Sequence, residues 1–414
     1  MSKFWGIVFI LILVLLTVNA SEKTISILIG GAADGWTEIA QEFYNKTGIK
    51  VNVIQGPPSS DAREIMYSIS LLTKTKGFDV IYMDVVWMGK FASASWLTPI
   101  SSFVNPLEYF KQKNLAESCY LASLYEGEYY SVPIKADAGL LYYRKDLLEK
   151  YGYSVPQTWQ ELKRIAKEIK QKEATEGKQI EGFVFQGKQY EGLVCNFYEV
   201  LRGMGYELIY QNQKGSFLAV NEDQLTQVLE FYSELIQEGV SPRSVINFEE
   251  EESRIVFQQG RAVFARNWPY AIKMLMEDEN MRDKFGVAIL PGSSPTLGGW
   301  ALSVSNYSSN KKEAWLFIDF VVENGLKTLF LKRGDVPTKI DLFQDQEVKS
   351  KLEYSDTIMR SVDFSKPRTV HPLYPRISSI IQVYVSGVIA GKIQPRQAAQ
   401  KMIKELHKVV SFKD

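Results

Sequence analysis

The sequence predicts an α/β protein folded as two lobes with a cleft between them. Three observations carry this. The chain has 414 residues, longer than one hydrophobic core usually serves. Short apolar strands alternate with amphipathic helical stretches, the pattern of an α/β sheet. The same style recurs in the second half of the chain, with no short-period repeat and no low-complexity linker between the halves.

The first elements read in order. Residues 24–29 form a short apolar run and are followed by Gly30 and Gly31. Trp36, Ile39, Ala40, Phe43 and Tyr44 then recur at helical spacing and define one apolar face. Ile49, Val51 and Val53 alternate as a strand should. A helix over 61–74 and a strand over 78–83 complete a strand–helix–strand–helix–strand series, which predicts a largely parallel sheet. Ligands of such sheets sit in loops at the carboxyl ends of the strands, here 30–34 and 84–87.

In the second half, Thr158 and Glu161 form a capping box ahead of a stripe of Leu162, Ile165, Ala166 and Ile169. A longer helix is expected over 222–238, capped by Asn221 and ended by Gly239. A strand over 262–265 runs into Asn267, Trp268 and Pro269. A last helix turns Ala398, Ala399, Met402, Ile403 and Leu406 inward.

Composition narrows the function. Basic and acidic residues number 48 each, for a formal charge of +0. Nucleic-acid binding needs a surplus of Lys and Arg and is not expected. The only histidines are His371 and His407, which argues against a zinc site or a histidine-based triad. Cys119 and Cys195 lack metal-motif spacing; they could form a disulfide or remain as two buried thiols. Aromatic residues make up 13%, including 22 Tyr and 8 Trp, which serves core packing and recognition equally well.

The amino terminus reads as a secretory signal peptide. Lys3 is the only charge before Glu22, residues 4–18 are almost wholly apolar, and Val18-Asn19-Ala20 is a small-residue cleavage site. Cleavage after Ala20 is expected, with an uncleaved anchor as the alternative. No cysteine near the site points to lipidation. The mature protein is expected beyond the cytoplasmic membrane, in the periplasm or cell-surface space.

Several loops mix carboxylates with aromatic rings. Asp84 precedes Trp87 at a strand end, and Asp137 lies between two aromatic clusters. Trp268 sits in Arg266-Asn267-Trp268-Pro269-Tyr270. Trp300 follows Gly298 and Gly299, and Arg368 lies in a loop. Carboxylates and guanidinium groups suit the hydroxyl edge of a sugar, and flat rings suit its C–H face. Each residue alone reads equally as packing, a turn or a cap.

The segment 137–148, DAGLLYYRKDLL, closely resembles the crossover of family 1 extracellular solute-binding proteins of ABC importers. Met83-Asp84-Val85-Val86-Trp87, Trp159-Gln160-Glu161-Leu162, residues 186–195 (QGKQYEGLVC), Phe257-Gln258-Gln259-Gly260, residues 266–270 and Leu297-Gly298-Gly299-Trp300 are similar to the trehalose/maltose-binding proteins of heat-loving prokaryotes. The likeness runs in order over nearly the whole mature chain.

That resemblance implies a type II periplasmic-binding-protein fold, each lobe a mostly parallel sheet flanked by helices. One lobe would comprise 21–133 and about 298–345, the other 138–293 and about 346–414. Crossings would fall near 134–137, 291–297 and 338–350. It implies hinge closure on a small α-glucoside, delivery to permease subunits, a monomer, no cofactor and no catalysis. Asp84 and Asp137 would meet sugar hydroxyls, Arg63 and Arg368 ring or linkage oxygens. Trp268 and Trp300 would wall the rings, and Gly299 would offer an N–H.

Two departures stand out. The loop 30–36 is shorter than in those binders, and Asp34 is the nearest candidate for their acidic ligand there. Lys135 replaces a crossover tyrosine; it could pair with Asp84 or Asp137, reach solvent, or touch a hydroxyl or negative group of a different ligand. Rival expectations are a binder of an oligosaccharide, charged sugar derivative or polyamine, a glycoside hydrolase built on paired carboxylates, and an interaction module without transport duty.

Overall fold

The computed structural model describes residues 23–75, 77–212 and 215–410. The leader over 1–20 and its cleavage site lie outside them.

Two sheets organise the chain. The first has the spatial order Lys50–Gly56, Thr24–Gly30, Val80–Asp84, Trp300–Val304, Val132–Lys135. The second runs Phe285–Ile289, Leu140–Arg144, Ala262–Asn267, Glu181–Val184. Both are mixed, which corrects the expectation of mostly parallel sheets. In the first, Thr24–Gly30 pairs in parallel with both neighbours, but Trp300–Val304 pairs antiparallel with both of its own. In the second only the Ala262–Asn267 to Glu181–Val184 pairing is parallel. Parallel neighbours need a crossover, usually a helix. Leu140–Arg144 and Trp300–Val304 instead arrive directly from the other sheet, and both enter antiparallel.

The chain therefore passes from the first sheet to the second between Lys135 and Leu140, and returns between Ile289 and Trp300. It then builds the helices Lys311–Phe320 and Leu326–Arg333, whose Phe317 and Leu329 join Ile27 and Val80 in one core. It crosses again before Ser355–Phe364: the Tyr354 hydroxyl donates to the Phe285 carbonyl at 3.1 Å. A second core gathers Leu162, Phe197, Leu229 and Met402. A third spans the middle, running from Leu28 and Tyr67 through Ala136 and Ala138 to Tyr142 and Phe285.

Local signals set most boundaries. The Thr158 hydroxyl accepts from the Glu161 N–H, and the Glu161 carboxylate accepts in return, opening helix Trp159–Thr175. Asn221 and Gln224 do the same for Glu222–Gln237. In Trp36–Thr47 the face of Trp36, Ile39, Ala40 and Phe43 is buried, but Tyr44 lies outside it, 39% exposed. The second helix spans Ser60–Leu72 rather than 61–74, because Thr73 turns its hydroxyl back onto the Ile69 carbonyl and Lys74 takes a positive φ. Pro395–Val410 buries Ala398, Ala399, Met402 and Leu406 as expected, with Ile403 partly buried. Among the described residues, no helix is long and apolar enough to cross a membrane, and Cys119 and Cys195 are both buried free thiols.

Candidate functional site

A cavity of about 430 Å³ opens where the two sheets face each other. Pro58, Ser60, Arg63, Asp84 and Trp300 line it from the first sheet's side, and Tyr190, Glu191, Cys195, Glu250 and Trp268 from the second's. Lys135, Asp137 and Gly298 come from the crossings, and Arg368 from the loop before helix Tyr374–Ile389. Seven of the nine residues singled out in the sequence are thus brought together: Arg63, Asp84, Lys135, Asp137, Trp268, Trp300 and Arg368.

Two are not. Asp34 is exposed and does not line the cavity. Arg333 ties this loop down by donating to the Ala32 carbonyl, and a positive-φ turn at Gly35 starts the helix immediately afterwards. Gly299 is buried beside the cavity, its carbonyl accepting from the Val85 N–H at 3.3 Å. The glycine on the wall is Gly298. A Cβ there would sit 2.6 Å from the Trp268 ring, so only a glycine lets the indole lie against the crossing.

Charges in the cavity are paired in a definite pattern. Asp84 ends its strand and accepts from the Ser60 hydroxyl at 2.9 Å and from Arg368 Nη2 at 3.2 Å. The other arm of Arg368 donates to Glu191 at 2.7 Å and meets Cys195 Sγ at 3.1 Å. Lys135 sits between Asp137 at 2.9 Å and Asp335 at 3.0 Å. Of the two pairings expected for Lys135, the one with Asp137 is present and the one with Asp84 is not; Asp335 is its second partner, and Lys135 also lines the cavity. Burial opposes its charge, but the two carboxylates outweigh that and hold the ammonium protonated. Burial pushes the Asp137 carboxyl up against the pull of Lys135. Asp335 is also buried, yet Lys135 and Arg333 keep it below the usual range.

Arg63 differs from the other two cations. It is 3% exposed, its Nη1 donates to the Pro57 and Pro58 carbonyls at 2.6 Å each, and its guanidinium lies 4.5 Å from the centre of the Trp300 ring. Burial lowers its pKa. Trp300 is backed by Tyr82 at 4.7 Å and Trp87 at 5.8 Å. Trp268 is held by its ring N–H on Glu250 at 3.2 Å and by the Arg266 guanidinium stacked at 3.7 Å. Arg266 in turn pairs with Glu199 at 2.5 Å, both fully buried, and Glu199 also accepts from the Thr296 N–H of the second crossing at 3.2 Å.

Sequence reasoning missed Glu191, Tyr190, Glu250 and Asp335. Glu191 carried a readable signal: a carboxylate opening the apolar helix Glu191–Gly203. The Tyr190 hydroxyl is buried beside Glu250, and burial with that neighbour holds its proton on.

The pattern of the bacterial extracellular solute-binding proteins matches residues 30–327. The chain belongs to that family, a family of extracytoplasmic binding proteins rather than of enzymes, which removes the glycoside-hydrolase alternative. It is 31% identical, over 99% of both chains, to a probable ABC transporter-binding protein of Deinococcus radiodurans. It is 24% identical to a maltotriose-binding protein of Pyrococcus abyssi, over 66% of this chain and 58% of that one. Among solved structures it resembles maltose-bound MalE3 of T. maritima, with TM-score 0.83 and 32% identity over 93% of this chain and 99% of that one. It also resembles a solute-binding protein of Thermotoga lettingae bound to α-D-tagatose, with TM-score 0.80 and 25% identity over 94% and 100%.

Proposed function

We propose that the protein is the solute-binding component of an ABC sugar importer. It captures a small α-glucoside of the maltose or trehalose kind between its lobes and hands it to the membrane permease. The observation that carries this is the set of buried polar atoms around one cavity that find no hydrogen-bond partner among the described residues: Arg63 Nε, Arg368 Nε, Asp137 Oδ1 and the Tyr190 hydroxyl. Such atoms are costly to bury and are normally satisfied. Two donors, one acceptor and a hydroxyl, in a cavity also lined by Trp268 and Trp300, suit hydroxyl and ring oxygens around an apolar sugar face.

The charge pattern favours a neutral ligand over an anion. Lys135 and Arg368 each already hold two carboxylates. An anionic sugar would have to compete with those pairs. The likeness to a maltose-bound structure supports the disaccharide reading. The two-lobed fold supports hinge closure as the capture step, with Asp84, Asp137, Arg63 and Arg368 on hydroxyls and ring oxygens.

The test is a thermal-shift and calorimetric screen of the chain from Ser21 onward against maltose, trehalose, sucrose, glucose, tagatose and a charged glucoside. A ligand that binds only the folded state raises the melting temperature by mass action. A shift with maltose or trehalose is expected. A shift confined to tagatose or the charged glucoside would overturn the α-glucoside assignment.

A further inference from the structure

Glu191 is 5% exposed, yet all its contacts are specific. Tyr374 donates its hydroxyl to Oε1, Ser378 donates to Oε2 at 2.5 Å, and Arg368 Nη1 donates to Oε1 at 2.7 Å. Three groups from the chain segment 368–378 thus converge on one carboxylate of helix Glu191–Gly203. With one arm fixed there, Arg368 extends the other across the cavity to Asp84 on the first sheet. Glu191 is therefore the point at which Asp84, at the end of a strand of the first sheet, is tied through Arg368 to the helix Glu191–Gly203.

We propose that Glu191 is a positioning residue for capture: it aims Arg368 at Asp84 and so sets how firmly the lobes close on ligand. The ligand half of this rests on the sugar-binding reading above; the aiming of Arg368 does not. A guanidinium held at one end by a buried carboxylate keeps its fork geometry and loses little freedom when the cleft closes. Without Glu191, Arg368 has only Asp84 and the Cys195 sulfur as side-chain partners, and the Tyr374 and Ser378 hydroxyls lose their acceptor.

Two measurements decide it. In the ligand-free chain, the melting temperatures of Glu191→Gln, Arg368→Gln and the double variant form a cycle. The proposal expects the double variant to melt no lower than the less stable single variant. Simply additive shifts would overturn it. By calorimetry with maltose, Glu191→Gln is expected to weaken binding roughly tenfold or more, with Glu191→Asp recovering part of the loss. Asp84→Asn should then cost less affinity in the Glu191→Gln background than in the parent chain. Unchanged maltose affinity in Glu191→Gln, or losses that simply multiply, would overturn the proposal. Should the parent chain give no response to maltose, the sugar reading falls, and the ligand-free cycle alone decides whether Glu191 positions Arg368.

Discussion

Arg368 and Asp84 are separated by 284 positions in the chain, yet their side chains meet at 3.2 Å across the cavity, both almost fully buried. This contact joins the loop before helix Tyr374–Ile389 to the end of strand Val80–Asp84. Removing one member of a buried pair leaves the other charge uncompensated, at a cost of about 3–5 kcal/mol. Arg368→Gln is therefore expected to weaken maltose binding by at least roughly a hundredfold, measured by calorimetry. Asp84→Asn should act in the same direction but less severely, because Arg368 keeps Glu191.

The Arg266–Glu199 pair makes a prediction about stability. Both side chains are 0% exposed, and the pair carries Trp268 on one side and Thr296 of a crossing on the other. Glu199→Gln or Arg266→Met alone should destabilise the fold by about 3–5 kcal/mol in a denaturant titration. Replacing both with apolar residues should cost clearly less than the sum of the two, because no lone charge remains.

Gly298 separates binding from stability. A methyl group there meets the Trp268 ring at 2.6 Å. The indole edges the cavity and can yield, so Gly298→Ala is expected to lower maltose affinity several-fold with a small change in melting temperature. Gly139 gives the contrasting case. Its added Cβ would lie 2.1 Å from Glu199 Oε1 and 2.8 Å from Arg266 Nη2, neither of which has room to move. Gly139→Ala should therefore lower the melting temperature sharply.

Under the sugar-binding proposal, Lys135 is placed to shape which sugars are taken. It clamps Asp137 Oδ2 at 2.9 Å and leaves Oδ1 without a partner. Tyrosine at this position would add a flat surface and release both Asp137 and Asp335 from their shared cation. Lys135→Tyr is expected to change the ranking of maltose, trehalose and glucose in calorimetry. An unchanged ranking would show that this lysine does not shape ligand range.

Glu191 gives stability a pH dependence of known sign. Burial, opposed by Arg368, raises its carboxyl from 4.5 to about 7. Between these values the folded chain keeps a proton that the unfolded chain has lost. The contribution of Glu191 to stability is thus full at and below pH 4.5 and declines as pH rises to 7, by roughly 3.5 kcal/mol at about 1.4 kcal/mol per pKa unit. Denaturation between pH 5 and pH 8 should show this decline in the parent chain and a smaller one in Glu191→Gln, where the raised carboxyls of Asp61 and Asp137 still contribute.

The sequence disclosed what is local. Thr158 with Glu161 and Asn221 with Gly239 announced helix ends through short-range chemistry, and the alternation of Val51 and Val53 announced a strand. Strand direction was not local, because it depends on which sheet the chain has just left. The site divided the same way. Asp84, Trp268 and Trp300 stand out beside loops and glycines. The role of Glu191 depends on Arg368, 177 positions away. Asp34 sits in a loop of the expected kind, but that loop is held at the Ala32 carbonyl by Arg333 from a distant helix.

The chain crosses from one side to the other three times, and this carries one more consequence. Each sheet is assembled from strands far apart in sequence, and the middle core runs through Ala136 and Ala138 of the first passage. A single proteolytic cut in any passage leaves two strands of chain still tethering the halves. Neither half can be excised as one continuous gene fragment. The molecule should accordingly melt in one transition rather than two, and the hinge closure proposed above would twist three backbones in concert.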